Sequence, residues 1–154
     1  MKNRKGNRLR TLKNRMLALL ITMSMVASLV SAIAPPSTAK AETSGDYEYT
    51  VNQFGRAEIT KYIGSGGNLV IPETFGDTIV STIASSAFKD CTSITGIVVL
   101  DNITSISSNA FAGCTQLTDV TIGDKVVTIS SSAFSGCTNL TNVTLGSAVQ
   151  SISP

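Results

Sequence analysis

Three cysteines, Cys91, Cys114 and Cys137, are the residues of this 154-residue chain best suited to chemistry, and they stand 23 residues apart. A thiolate is a nucleophile, a soft metal ligand and half of a disulfide. A catalytic thiol needs a base, and the chain has no His, the side chain most often used for that work. A structural zinc site needs four ligands, usually in closely spaced pairs, and three evenly spaced single cysteines do not supply them. A disulfide is within reach, since stacked strands lie about 4.7–4.9 Å apart and a bridge spans roughly 4.4–6.8 Å between Cα atoms. Parallel side chains of one ladder do not aim their Cβ atoms at each other, however, and three is an odd number. The remaining role is that of a small buried hydrophobe, and the spacing favours it: a ladder of free, buried thiols.

The cysteines belong to a longer pattern. "IASSAFKDCTSITGIVVLDNITS" from Ile83, "ISSNAFAGCTQLTDVTIGDKVVT" from Ile106 and "ISSSAFSGCTNLTNVTLGSAVQS" from Ile129 align without a gap, the last two agreeing at 14 of 23 positions. The invariant columns are Ile83/Ile106/Ile129/Ile152, Ala87/Ala110/Ala133, Phe88/Phe111/Phe134 and Cys91/Cys114/Cys137. Ile94/Leu117/Leu140, Ile97/Val120/Val143, Val99/Ile122/Leu145 and Ile103/Val126/Val149 vary conservatively. One copy has too few apolar positions to bury a core alone, whereas stacked copies place like on like and share one. Alternation at Val120, Thr121 and Ile122 reads as a short strand, followed by Gly123 or Gly146 at a bend. The "SSxAF" segment reads as a corner, one turn of helix or irregular, seating Ala and Phe inward. The expected fold is therefore a β-rich solenoid with one short strand per coil. Phe88, Phe111, Phe134, Cys91, Cys114 and Cys137 form its core.

These columns resemble the BspA-like leucine-rich repeats, with "AFxGCxxLxxVxIxxxVxxI" in each unit, over Leu69 to Pro154. That family often has Pro just after the strand. Ile71-Pro72 matches, while the full copies have Leu100, Gly123 and Gly146. Copy one carries Lys89-Asp90 in place of a small residue and Gly, so a looser corner is expected there. The resemblance implies a secreted or surface protein used for adhesion and protein–protein contact.

The first 41 residues read as a secretory signal. Seven basic residues precede Arg15 or fall on it, an apolar stretch runs from Met16 to Ala34, and Ala39-Lys40-Ala41 is a small-x-small site. An uncleaved anchor is the alternative, since the run is near the minimum for a span. Thr22, Ser24, Ser28 and Ser31 interrupt it. Cleavage after Ala41 reverses the charge: the whole chain is +2, but 4 basic against 10 acidic residues remain, a net −6. Such a surface repels nucleic acid and anionic lipid, so membrane contact is expected only through the signal, during export. Residues 42–82 read as an N-terminal cap. Tyr47/Tyr49/Val51 and Ala57/Ile59 alternate around "NQFGR" as a hairpin, and a partial repeat with Ile71 in the strand column follows. "GSGG" at 64–67 lacks the Lys-Ser/Thr and the helix of a phosphate loop and reads as a turn. Residues 83–154 are the repeats.

No catalytic, cofactor-binding or metal-ligating set emerges from these readings. The candidate binding face is the set of outward strand positions, Asn68, Val70, Val98, Asp119, Thr121, Asn142 and Thr144, with Gly96 among them. Rows of this kind form an extended surface. This one is small and polar with no aromatic, and interface hot spots favour Trp, Tyr and Arg, so ordinary solvated positions are an equal alternative. Two functions follow: a secreted or surface binding module for a protein, cell-surface or matrix ligand, or a spacer or targeting arm of a longer, possibly enzymatic, extracellular polypeptide. Sequons at Asn102, Asn139 and Asn142 matter only in a glycosylating host. Ile152-Ser153-Pro154 falls on the column of Ile129-Ser130-Ser131. The polypeptide is therefore expected to extend beyond Pro154, and its uncapped last coil to self-associate or fray.

Overall fold

The computed structural model describes residues 40–153. The expected signal segment lies outside them, Lys40 and Ala41 excepted. The described elements are β1 (Glu42–Ser44), β2 (Tyr47–Val51), β3 (Ala57–Tyr62), β4 (Gly67–Val70), β5 (Thr74–Phe75), β6 (Thr78–Ile83), β7 (Ile94–Val99), β8 (Ser105–Ile106), β9 (Asp119–Ile122), β10 (Thr128–Ile129), β11 (Asn142–Thr144) and β12 (Ser151–Ile152).

Each full coil contributes to two sheets, pairing in parallel with its neighbouring coils in both. The first sheet runs β1-β2-β3-β6-β8-β10-β12, with β5 added to β6; the second runs β11-β9-β7-β4. Register follows the 23-residue columns without slip from Ile83 to Ile106 to Ile129 to Ile152 and from Ile97 to Val120 to Val143. The core lies between the sheets. Ile83, Phe88, Ile94, Ile103, Ile106, Phe111, Leu117 and Val126 are fully buried there. A fully buried Leu, Ile or Phe contributes about 1.5–3 kcal/mol relative to exposure.

The N-terminal unit covers one end of this core. β2 and β3 form an antiparallel hairpin, β1 pairs with β2, and β3 pairs in parallel with β6, Ile59 beside Ile83. Asn52 closes the hairpin turn, its Oδ1 accepting the N–H groups of Phe54 and Arg56. Tyr49, Phe75, Tyr47 and Tyr62 continue the column of Phe88, Phe111 and Phe134 as one line of rings, with neighbouring centroids 4.3–5.7 Å apart. Spacing of this order suits offset or tilted aromatic pairs.

Three expectations are corrected, and the corners, which the sequence allows to be helical or irregular, are irregular. Each full coil carries two strands rather than one, because the inward Ile of the Ile106 column and the residue before it also pair with the neighbouring coil. No corner is helical among the described residues. The N–H groups of Ala87, Lys89 and Cys91 turn back to carbonyls three residues earlier, whereas those of Ser86, Phe88 and Asp90 donate to Ser108, Ala110 and Ala112 of the next coil. A helix would keep all of these bonds within the segment. The Lys89-Asp90 corner is not looser: Asp90 adopts φ 59°, in the left-handed region also occupied by Gly113 and Gly136. Finally, Phe134, Cys91 and Cys137 are only partly buried. Cys91 belongs to the first full copy, and the cap supplies no cysteine in its column; no full coil covers Phe134 and Cys137 among the described residues.

Candidate binding face

The cysteine column is occupied by structure. The Cys114 thiol donates to the Phe88 carbonyl at 3.1 Å and the Cys137 thiol to the Phe111 carbonyl at 3.2 Å, each reaching back one coil. Burial, with a smaller contribution from the neighbouring Cys137 and Cys91, pushes the Cys114 thiol up to about 12. Burial also raises Cys91 and Cys137 above the ordinary thiol value. All three are free. A raised pKa leaves the protonated thiol, which is the poor nucleophile and poor ligand. Among the described residues no group of three or more His, Cys, Asp or Glu is placed to hold a metal. The "GSGG" turn uses its donors internally, Gly66 N–H to the Tyr62 hydroxyl and Gly67 N–H to the Ser93 carbonyl.

The outward face of the second sheet is built by the pleat. Along β9 burial alternates, Val120 and Ile122 inward, Asp119 and Thr121 outward, as a half-buried strand requires. Parallel pairing then sets the same positions of four coils side by side: Asn68, Gly96, Asp119 and Asn142 in one row, Val70, Val98, Thr121 and Thr144 in the next. All seven candidate residues thus share one face. Asn68, Asp119, Thr121, Asn142 and Thr144 are exposed, Val70 is 57% exposed, and Val98 is half-buried.

A depression of about 280 Å³ opens between Asn68, Val70, Gly96, Val98, Asp119 and Thr121. Its floor is Gly96, where a Cβ would meet the Asn68 amide oxygen at 2.6 Å. Sequence reading placed Gly96 in the row but gave it no role; an isolated Gly inside a strand, a mark of close approach, was the available signal.

Threonines one residue before the polar row hold it still. The Thr95 hydroxyl donates to Asn68 Oδ1 at 2.9 Å, and the Thr141 hydroxyl donates to the Thr118 carbonyl of the preceding coil. Asp119 accepts from the Thr118 hydroxyl on Oδ2 and from Asn142 Nδ2 on Oδ1 at 2.7 Å. Those two bonds hold its carboxyl below the usual carboxylate range. This threonine ladder was not singled out from the sequence, because Thr is also the ordinary filler of an exposed strand.

Short parallel strands repeating in register every 23 residues around one shared apolar core define a β-solenoid of the leucine-rich-repeat class. A family model described as "BspA type Leucine rich repeat region (6 copies)" matches residues 68–154. The chain belongs to that family. It is similar in structure to a leucine-rich repeat protein of T. pallidum (26% identity, TM-score 0.69, covering 74% of this chain and 54% of that one). It is also similar to one from Bacteroides capillosus (31%, 0.67, 72% and 86%). A leucine-rich cell surface protein of Faecalibacterium prausnitzii is a third likeness (30%, 0.62, 76% and 39%). The chain therefore spans about half the length of the first of these. No curated protein matches it.

Proposed function

We propose that this chain is a non-catalytic binding or adhesion module that works outside the cell or at its surface, presenting the outward face of β4, β7, β9 and β11 to a protein or matrix ligand. The observation that carries this reading is the depression over Gly96, where three neighbouring coils set exposed Asn68, Val70, Asp119 and Thr121 around one opening. The likeness to a protein described as a cell surface protein supports the location, as does the secretory pattern of residues 1–41. Retention of the purified protein on a reconstituted basement-membrane matrix coat tests the reading. Thr121→Arg, in the face, should abolish retention, and Val127→Arg, outside that sheet, should leave it unchanged. No retention, or equal retention by both variants, would overturn it.

A second reading, a spacer or targeting arm of a longer polypeptide, is favoured by one feature. Several polar groups at this face, those of Asp119, Thr141 and Asn142, are engaged in bonds between coils.

A further inference from the structure

The depression has a definite chemistry. One wall is the Asp119 carboxylate, each oxygen already fixed by one hydrogen bond from Thr118 or Asn142. A carboxylate has about four acceptor sites, so roughly half of them remain open toward solvent. The same two hydrogen bonds favour the charged form of the carboxyl. Residues 40–153 carry five basic and ten acidic side chains, so the surrounding field favours a cation. The opposite wall is apolar: Val70, more than half exposed, and Val98 lie side by side on neighbouring coils. Gly96 keeps the floor between the two walls open.

A charged head beside an aliphatic wall matches one kind of side chain. Lysine and arginine lay an apolar stem on apolar surface while the head stays at a polar edge. We propose that this depression receives a basic side chain of a protein ligand, its head paired with Asp119 and its stem lying over Gly96 against Val98 and Val70. The inference rests on the binding reading above and names its chemistry. Exposed ion pairs are weak largely because two flexible side chains must be held in one geometry. Here the Asp119 side is already held, and the stem adds apolar contact. A single such contact is weak, and a partner bearing several basic residues gains from linkage between them.

Amide chemical shifts of the ¹⁵N-labelled full chain, titrated with N-acetyl-lysine methylamide and with N-acetyl-arginine methylamide, test this. At least one probe should give saturable shifts confined to Asn68, Gly96, Val98, Asp119 and Thr121. Asp119→Asn should weaken that binding at least 5-fold at low salt while resonances elsewhere stay in place. Val98→Thr should weaken it about 3-fold by removing stem contact. The neutral analogue, N-acetyl-norleucine methylamide, should not shift these residues. If it shifts them equally, or if Asp119→Asn has no effect, the cation assignment fails and the binding face stands. If no probe shifts them, the cation assignment fails, and the matrix-retention experiment decides the face independently.

Discussion

At the scale of single residues the protein spends its reactive groups on packing. A cysteine fits its column because it is small and apolar, yet can still donate one weak bond to a carbonyl of the coil before it. Labelling with a thiol reagent should be slow for native Cys114 and give three equivalents after unfolding without reductant; one equivalent would mean a bridge. The raised thiol value also fixes a pH response. An unfolded cysteine ionises near 9.0, whereas folded Cys114 holds its proton to about 12. Its contribution is therefore complete below pH 9 and lost as pH rises toward 12. Thermal melts should fall across that window, and less steeply for Cys114→Ser, which keeps a donor toward Phe88 but does not titrate there. Tyr47, raised to about 12 chiefly by burial, contributes in the same direction in both proteins, so an identical slope would remove Cys114 from the account. The inward–outward register has its own check in denaturant melts. Phe111→Ala should cost about 3–5 kcal/mol, as deletion of a buried Phe does, while Thr121→Ala should stay within about 0.5 kcal/mol.

At the scale of elements the corner is the informative unit. Ser86, Asn109 and Ser132 take φ of 62°, 58° and 57°, and Asp90, Gly113 and Gly136 take 59°, 76° and 75°. Two left-handed residues per coil turn the chain and send alternate N–H groups to the neighbouring coil. At Gly113 the Asp90 side chain lies over the space a Cβ would fill, whereas at Gly136 the nearest atoms are Gly113 backbone at 3.5 Å and beyond. Gly113→Ala should therefore cost more than Gly136→Ala. The latter should lose only the left-handed backbone term of about 1–2 kcal/mol. Asp90→Gly should recover part of the Gly113→Ala loss, and equal costs for both alanines would discount the Asp90 contact. The strand columns were legible in the sequence because burial imposes a period of two on Val120, Thr121 and Ile122. The corner was not. Ser86 and Asn109 are types that fit both a helix start and a left-handed turn, and only the partner coil decides which bonds they make. The face was legible as a row of outward positions, while its depression depends on Gly96 and on side-chain directions that spacing does not encode.

At the scale of the whole molecule, support is uneven along the stack. The cap covers the first coil, the second coil has neighbours on both sides, and the third exposes Val143 and Leu145 at 51% and 46%, with Ile152 of the following unit 59% exposed. The N–H groups of Asn109, Phe111 and Gly113 donate to the third coil, and their counterparts at Ser132, Phe134 and Gly136 have no such backbone partner among the described residues. Hydrogen exchange should accordingly be slowest around Phe88 to Leu117 and fastest in the third coil, as expected when stability is a sum of neighbour terms. Uniform protection through Thr144 would contradict that gradient. The same parallel register has a genetic consequence. Since the paired strands of full coils align residues of equal phase, an in-frame loss of codons 106–128 brings the Ile83 coil against the Ile129 coil with the same columns aligned, and Asp90 again meets a glycine, Gly136. Loss of one codon more or fewer would turn the following strand inside out. Recombination between neighbouring units can thus lengthen or shorten this protein in whole steps, with selection acting on the face each step presents and the interior inherited unchanged.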